Sequence, residues 1–319
     1  MGKDILYERF VEAIKNKVPE RGQLVNSLAD ILLIEKDAIY RRLRGEVLFT
    51  FAEITKISKK IGISLDHITG EDELKNYSFT LHLNNYENPD EEDYRMQEHY
   101  INMLDNMRGM PGSEVGAASN MIPTPLYIPY EYIYRFYLLK WMYQLGDRPK
   151  KFSEIQIPQR QMEIGKRALA FVKNVSNTHW VMNENFLVLL INDINYFINI
   201  KYITEDEAKL LKKDISCFID YLDEIATTGC FETGKKIFLY ISSLNFESSY
   251  SYVESQNYFH TAISSFTLND AISLNIEVLK KIKKWMKAII QTSIMISESA
   301  TRQRVLFFTK QRDIIATNL

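Results

Sequence analysis

The sequence predicts a mainly α-helical protein made of a small N-terminal helical bundle and a larger domain. Three observations predict this fold class. Over residues 1–70, apolar residues recur every three or four positions between strong signals for helix ends. Residues 71–93 are acidic and rich in turn-forming residues, which is typical of a linker. Residues 94–319 are predicted to be mostly helical, with a small α+β portion near the C-terminus, after Gly234.

The bulk composition is that of an ordinary soluble globular protein. The chain has 319 residues, of which 46% are hydrophobic and 25% are charged, and its formal net charge is −2. Its two cysteines are too few for a disulfide framework, and its N-terminal residues lack the apolar core of a signal peptide. Its apolar runs are too short to span a membrane. The sequence therefore predicts a cytoplasmic protein without a membrane partner.

The first three predicted helices follow from the spacing of their apolar residues. One helix covers the apolar positions in residues 5–14 and ends before Pro19, which cannot continue a helix. A second helix extends over about residues 23–32. After a three-residue break, a third helix carries Ile39 and Leu43 four positions apart, so both side chains face the same side.

Helix-capping residues define the fourth and fifth predicted helices. Gly45 lies where the third helix ends, because glycine adopts the left-handed conformation at little cost. Thr50 and Glu53 match a capping box at the start of a fourth helix, which Gly62 closes. A short fifth helix begins at residues 64–66. Five helices joined by short turns predict a compact bundle over residues 1–70.

The third helix concentrates cationic side chains on one side of this bundle. Residues 36–44 are KDAIYRRLR, with one lysine and three arginines. If Ile39 and Leu43 face the core, helical spacing places five residues on the outward side: Lys36, Asp37, Tyr40, Arg41 and Arg44. The planar fork of an arginine matches phosphate oxygens and the O6/N7 edge of guanine. The pattern therefore indicates a helix that recognises DNA in the major groove.

Residues 28–46, LADILLIEKDAIYRRLRGE, resemble the helix-turn-helix of lambda-repressor-like (Cro/repressor-type, XRE-like) regulators. The common pattern of that family is L-A-x-x-L-G-[VI]-S-x-x-x-[IV]-x-x-x-x-x-G, and six residues match it: Leu28, Ala29, Leu32, Ile34, Ile39 and Gly45. The resemblance covers about residues 22–70 and implies a five-helix fold that binds double-stranded DNA. It implies a phosphate contact for Arg44 and base contacts for the other four outward residues: Lys36, Asp37, Tyr40 and Arg41.

Four positions depart from the family pattern. Leu33 replaces the turn glycine, which requires a different turn backbone or some strain. Glu35 replaces the serine that usually caps the third helix. Arg42 occupies a position that is usually apolar, and Leu43 is predicted to take over that role. Val25 replaces a glutamine that often contacts a phosphate, so that contact is not expected here.

The larger domain is expected to contain helices at about residues 94–107, 160–175, 182–200, 205–227 and 276–290, and over RQRVLFFTKQRDII. A short strand is possible within residues 79–83, two or three strands are expected over residues 237–266, and another over TSIMIS. The glycines of RGMPGSEVGAASN lack the lysine and hydroxyl residue of a phosphate-binding loop, so a flexible loop is expected there.

A further helix is expected within residues 130–146, YEYIYRFYLLKWMYQLG, which is unusually rich in aromatic rings. Large rings fill space in a protein core, which is one interpretation of this helix. The other is that it forms a wall of an effector pocket, where phenolic hydroxyls orient a ligand. Both interpretations can hold together.

These features predict a sequence-specific DNA-binding transcriptional regulator. Its expected partners are double-stranded DNA, a second copy of the chain and a small-molecule or protein effector of the distal domain. A homodimer would contact half-sites about one helical turn (~34 Å) apart. The histidines are scattered and no catalytic motif is present, so no enzyme activity, metal or cofactor is expected. Two alternatives stay open: a protein-interaction module such as an antitoxin or a phage-type repressor, and an unrecognised enzyme in the distal domain.

Overall fold

In the computed structural model, the described residues are 5–18, 21–63, 65, 68, 77–82, 85, 88–146, 151–256, 258–266 and 269–319. The chain divides into two compact units, Met1–Ser78 and Phe79–Leu319, hereafter the first and the second unit. Across the described residues there are twelve α-helices and one eight-stranded sheet. The protein is therefore mainly helical with some sheet.

Four helices of the first unit lie within the described residues: α1 (Ile5–Lys17), α2 (Arg21–Leu32), α3 (Lys36–Leu43) and α4 (Phe51–Ile61). They coincide with the four helices predicted from apolar spacing and caps. Their apolar side chains form one core, in which Ile14, Leu28, Ile39 and Ile57 are fully buried. The predicted fifth helix, beginning at residues 64–66, falls mainly on residues outside the described ranges.

Both ends of α4 are fixed by local signals that the sequence identified. The Glu53 amide donates to Thr50 Oγ1 over 3.3 Å, and the Thr50 amide donates to the Glu53 carboxylate over 2.8 Å. These two bonds form the predicted capping box. Gly62 ends the helix in the left-handed conformation, with φ of 74°.

The second unit contributes eight helices to the described residues: α5 (Glu91–Asp105), α6 (Thr124–Tyr127), α7 (Glu131–Leu145), α8 (Gln159–Val172), α9 (Phe186–Asn199), α10 (Glu205–Thr228), α11 (Ile276–Gln291) and α12 (Thr301–Asn318). A short 3-10 helix lies at Phe152–Glu154. All but α6 and the 3-10 helix correspond to predicted helices, with ends that differ by a few residues.

The sheet of the second unit consists of β1 (Thr80–His82), β2 (Glu114–Ser119), β3 (Asn177–Asn183), β4 (Lys236–Ser242), β5 (Ser249–Glu254), β6 (Phe259–Phe266), β7 (Asn269–Ser273) and β8 (Ile294–Met295). Its strand order is β1-β7-β6-β5-β2-β3-β4-β8. The central strands β2, β3 and β4 are parallel, and their helical connections run through α6 to α8 and through α9 and α10. All other strand pairs are antiparallel.

Each face of the sheet has its own hydrophobic core. On one face, Trp180 of β3 is buried in a large cluster that includes Phe218 of α10. On the opposite face, α11 packs on the sheet and its Met286 is buried in a cluster with Tyr252 of β5. The second unit is therefore a mixed sheet with helices on both faces.

A half-buried ion cluster also connects α11 to the sheet. Lys283 Nζ lies 3.0 Å from Glu114 Oε1 on β2 and also donates to Glu254 on β5. Tyr252 donates its hydroxyl proton to the same Glu114 carboxylate. Burial acts to raise the pKa of Glu114, but the hydrogen bonds from Tyr252 and Lys283 outweigh it and lower that pKa below its usual value.

The sheet is more extensive than the sequence predicted. Strands occur from Thr80 to Met295, so the α+β character belongs to the whole second unit and is not confined to a small portion after Gly234. Strand β1 and the first turn of α5 both lie within residues 71–93, the segment predicted as an acidic linker. Strand β1 confirms the possible strand within residues 79–83. The prediction of a small α+β portion was nevertheless wrong, because β2 and β3 also precede Gly234.

The largest local difference concerns β2, in the segment predicted as a flexible loop. Glu114–Ser119 is a central strand, parallel to β3 and antiparallel to β5. Its small residues suit close packing, because a Cβ added at Gly116 would lie 2.2 Å from Cε1 of Tyr252. Similarly, the start of the helix predicted at residues 182–200 is the end of β3, and α9 begins only at Phe186.

Candidate nucleic-acid interface

The candidate site is built on α2, α3 and the short turn between them. Leu33 in this turn adopts a left-handed backbone with φ of 56°, and its side chain is 87% exposed. A left-handed conformation costs a residue with a Cβ about 1–2 kcal/mol. The Ile34 amide donates to the Ala29 carbonyl over 3.4 Å and closes the turn. The strain expected from a leucine in place of the usual glycine is therefore present.

The inner face and the ends of α3 fix how the helix lies in the first unit. Ile39 is 0% exposed, and Leu43 packs half-buried against the same core. At the start of α3, Glu35 makes no side-chain cap, although its carbonyl accepts from the Ala38 amide over 3.0 Å. After the last turn, Gly45 has φ of 76°, which lets the chain leave the helix.

The five residues that the sequence predicted as DNA contacts lie on α3 and at its end, and they differ in exposure and direction. Four of them are exposed and Tyr40 is half-buried: Lys36, Asp37, Tyr40, Arg41 and Arg44. The side chains of Arg41 and Arg44 are 59% and 53% exposed, so their guanidinium groups are accessible to a partner. By helical spacing, Asp37, Arg41 and Arg44 lie opposite Ile39. Lys36 lies one turn before Ile39 on the same side of the helix, and Tyr40 packs partly against the core.

Arg42 points the other way and joins α3 to α4. Its Nη2 donates to Glu53 Oε1 over 2.9 Å and its Nε donates to Glu53 Oε2 over 3.3 Å. The two side chains are only 16% and 17% exposed. Burial acts to raise the pKa of Glu53, but bonds from the Thr50 amide and from Arg42 lower it below its usual value. One carboxylate therefore caps α4 and neutralises the arginine at the usually apolar position.

Tyr7 of α1 supports the end of α3, and sequence reasoning missed it. Its hydroxyl donates to the Arg42 carbonyl over 2.7 Å, and the Val47 carbonyl lies 3.3 Å from the same oxygen. Burial raises the pKa of Tyr7, so the hydroxyl keeps its proton and remains a donor. The sequence signal for this contact was a tyrosine on the apolar side of α1, because a partly buried hydroxyl needs a hydrogen-bond partner.

Glu46 faces the two exposed arginines and was also missed. Its Oε1 accepts from Arg44 Nε over 2.6 Å and its Oε2 accepts from Arg44 Nη2 over 3.2 Å. Arg41 Nε lies 3.7 Å from Glu46 Oε2. The hydrogen bond from Arg44 lowers the pKa of Glu46 below its usual value. The candidate site therefore contains its own carboxylate beside its two exposed arginines.

In the second unit, the aromatic helix α7 contributes its rings to the core. Tyr134, Phe136, Tyr137 and Trp141 are buried in the large cluster on one face of the sheet. The Tyr137 ring stacks on Tyr127, with 4.4 Å between the ring centroids. These contacts confirm the core interpretation of the helix, because the buried rings fill space between elements.

Comparison with known protein families, with curated proteins and with solved structures found no match to this chain. Within the described ranges, no group of three or more histidines, cysteines and acidic residues is placed to hold a metal ion. None of the helices described here combines the length and the apolar character needed to cross a membrane.

Proposed function

We propose that this protein is a sequence-specific DNA-binding transcriptional regulator whose first unit is a lambda-repressor-like helix-turn-helix domain. The observation that carries the proposal is α3: Ile39 anchors it in the core while Arg41 and Arg44 stand exposed on the opposite face. A helix of this kind fits the major groove, which is about 12 Å wide in B-DNA. The resemblance of residues 28–46 to that family points to the same function.

The outer residues of α3 suit two kinds of DNA contact. In the proposed complex, Arg41 contacts a base edge, and its fork geometry favours guanine O6 and N7. Asp37 accepts a hydrogen bond from an exocyclic amine such as cytosine N4, and Lys36 and Tyr40 add contacts on either side. Arg44, after the last turn of α3, binds a phosphate and positions the helix without reading the sequence.

The second unit is proposed to bring two first units onto paired half-sites. One domain with acidic residues among its cations binds DNA weakly, because phosphate neutralisation supplies much of the affinity. A homodimer contacts two half-sites about one helical turn (~34 Å) apart and so gains affinity. In this proposal the regulator is cytoplasmic. A small-molecule or protein effector binds the second unit and changes the distance between the two first units of the dimer.

The test is selection of binding sites by the full-length protein from random duplex DNA at physiological salt. We expect a paired motif with fixed spacing, and loss of that motif for the double variant K36A/R41A. The matched control K15A/K17A removes two exposed lysines from α1 and should recover the motif unchanged. Failure of the unmodified protein to enrich any duplex would contradict the proposal. Co-purification of a stoichiometric protein partner in that case would favour the interaction-module alternative.

A further inference from the structure

The two arginines on the outer face of α3 engage Glu46 differently. Arg44 uses both Nε and Nη2 on the carboxylate, at 2.6 and 3.2 Å, so this pair of donors is occupied. Arg41 Nε lies 3.7 Å from Glu46 Oε2, which is an ion-pair contact longer than a hydrogen bond. A carboxylate held in this way offers an arginine the same planar acceptor pair as a phosphate. Glu46 therefore competes with phosphate for Arg44, and it contacts Arg41 only at the Nε edge of the guanidinium group.

We propose that Glu46 is a specificity-determining residue, which weakens, without abolishing, phosphate binding by Arg44 while it orients Arg41 for a base edge. This inference rests on the proposed function. Any duplex offers phosphates, so a carboxylate that occupies Arg44 and repels nearby phosphates weakens binding to all sequences. Arg41 can keep Glu46 beside Nε and still direct its terminal amino groups at guanine. Glu46 therefore lowers the affinity for non-specific DNA more than the affinity for the preferred site.

The experiment compares full-length wild type with E46Q and with E35Q, its matched control. Glu35 is an exposed acid at the start of α3, so E35Q makes the same charge change away from the two arginines. The probes are a duplex recovered by the selection and a scrambled duplex of equal length and composition, titrated at several salt concentrations. Thermal unfolding of each variant checks that its fold is intact.

For E46Q we expect affinity for the scrambled duplex to rise about two- to fivefold, in keeping with the strength of an exposed ion pair. Its dependence on salt should steepen by part of the about 0.9 in the log–log slope that one full phosphate contact contributes, because Glu46 weakens the Arg44 contact without abolishing it. Affinity for the selected duplex should rise less, so the ratio between the two duplexes falls. In an R44Q background, the gain from E46Q should disappear.

Three outcomes would overturn these statements in distinguishable ways. If E46Q and E35Q change both duplexes equally, Glu46 acts only through net charge and the inference fails while the proposed function stands. If E46Q raises affinity for the selected duplex as much as for the scrambled one, Glu46 does not determine specificity. If wild type and all variants leave both duplexes unbound, the proposed function fails and the inference fails with it.

Discussion

Arg42 and Arg44 lie two residues apart at the end of α3, and each holds a carboxylate through two nitrogen atoms, yet their surroundings differ. Arg42 and Glu53 are 16% and 17% exposed, and Glu53 also caps α4, so this pair connects two helices. Arg44 and Glu46 are 53% and 48% exposed and are separated by two positions in sequence. The same two-nitrogen arginine–carboxylate pair therefore occurs once between two helices and once on the surface.

The difference shows that exposure decides what an ion pair contributes. Removing one partner of a half-buried pair leaves a charge with neither water nor a counter-ion, which destabilises the folded state. A pair in water is screened and exchanges its partner readily, so it contributes little to stability, and its arginine remains accessible to a binding partner. The Lys283–Glu114 contact of the second unit belongs with the half-buried kind.

The largest effect should come from breaking the half-buried pair with Glu53→Ala. This change removes the capping box and leaves Arg42 unpaired, so it should destabilise the first unit by about 2–3 kcal/mol. All three tryptophans, Trp141, Trp180 and Trp285, lie in the second unit. Hydrogen–deuterium exchange of peptides covering α3 and α4 is therefore the measurement that isolates the first unit, and exchange there should accelerate.

The matched control for this prediction is Glu46→Ala, which removes the exposed carboxylate. Exchange of the same peptides should be unchanged, because Glu46 caps no helix and its arginines stay hydrated. Equal acceleration in both variants would break the distinction between the two pairs.

The next prediction separates the two exposed arginines by their effect on DNA. Arg41→Ala should cost about 1–3 kcal/mol of binding to the selected duplex and relax selectivity at one position, if the residue contacts a base. Arg44→Ala should instead weaken binding to all sequences alike and flatten the dependence on salt. The measurement is titration of each variant with selected and scrambled duplexes. A uniform loss for Arg41→Ala would place that residue among the phosphate contacts.

A third prediction concerns pH and the half-buried cluster of the second unit. Because the pKa of Glu114 is lowered in the folded state, its ionised form adds stability above its unfolded pKa, and that stability is lost as pH falls through the folded pKa. The free energy of unfolding of wild type should exceed that of E114Q by about 1–2 kcal/mol near pH 7, and this difference should disappear as acidification protonates Glu114 in the folded state. Urea unfolding followed by tryptophan fluorescence reports on the second unit. A difference that stays constant with pH would show that Glu114 contributes through packing instead of charge.

The sequence predicted the elements that depend on local signals. The caps at Thr50 and Gly62 and the spacing of Ile39 and Leu43 act within a few residues, so α3 and α4 could be placed from sequence alone. The partner of Arg42 could not be predicted, because it depends on how two helices cross. Glu53 had already been assigned a role as a cap, and nothing in its spacing indicates a second role.

The sheet was harder to predict because its strands pair over long distances in sequence. Glu114–Ser119 has small residues and few β-branched ones, which is typical of a loop. Its partners in β3 and β5 lie 63 and 132–140 residues further along the chain, and contact with Tyr252 explains why Gly116 must be small. Such a strand is defined by its neighbours and carries almost no signal of its own.

The smallest expected effect concerns the turn at Leu33, and tests whether this residue matters through its backbone strain within the fold or through its exposed side chain on the surface. Leu33→Gly should relieve a backbone strain of about 1–2 kcal/mol in the folded state. Because glycine also increases the conformational entropy of the unfolded chain, the net gain in the free energy of unfolding should be about 0.5–1 kcal/mol. Leu33→Ala is the control, since it keeps the Cβ strain but removes the exposed side chain. Slower hydrogen–deuterium exchange of α2 and α3 peptides in the glycine variant alone would show that Leu33 acts through backbone strain. Equal exchange in both variants, with altered DNA binding, would instead mean that the exposed leucine side chain is part of the binding surface.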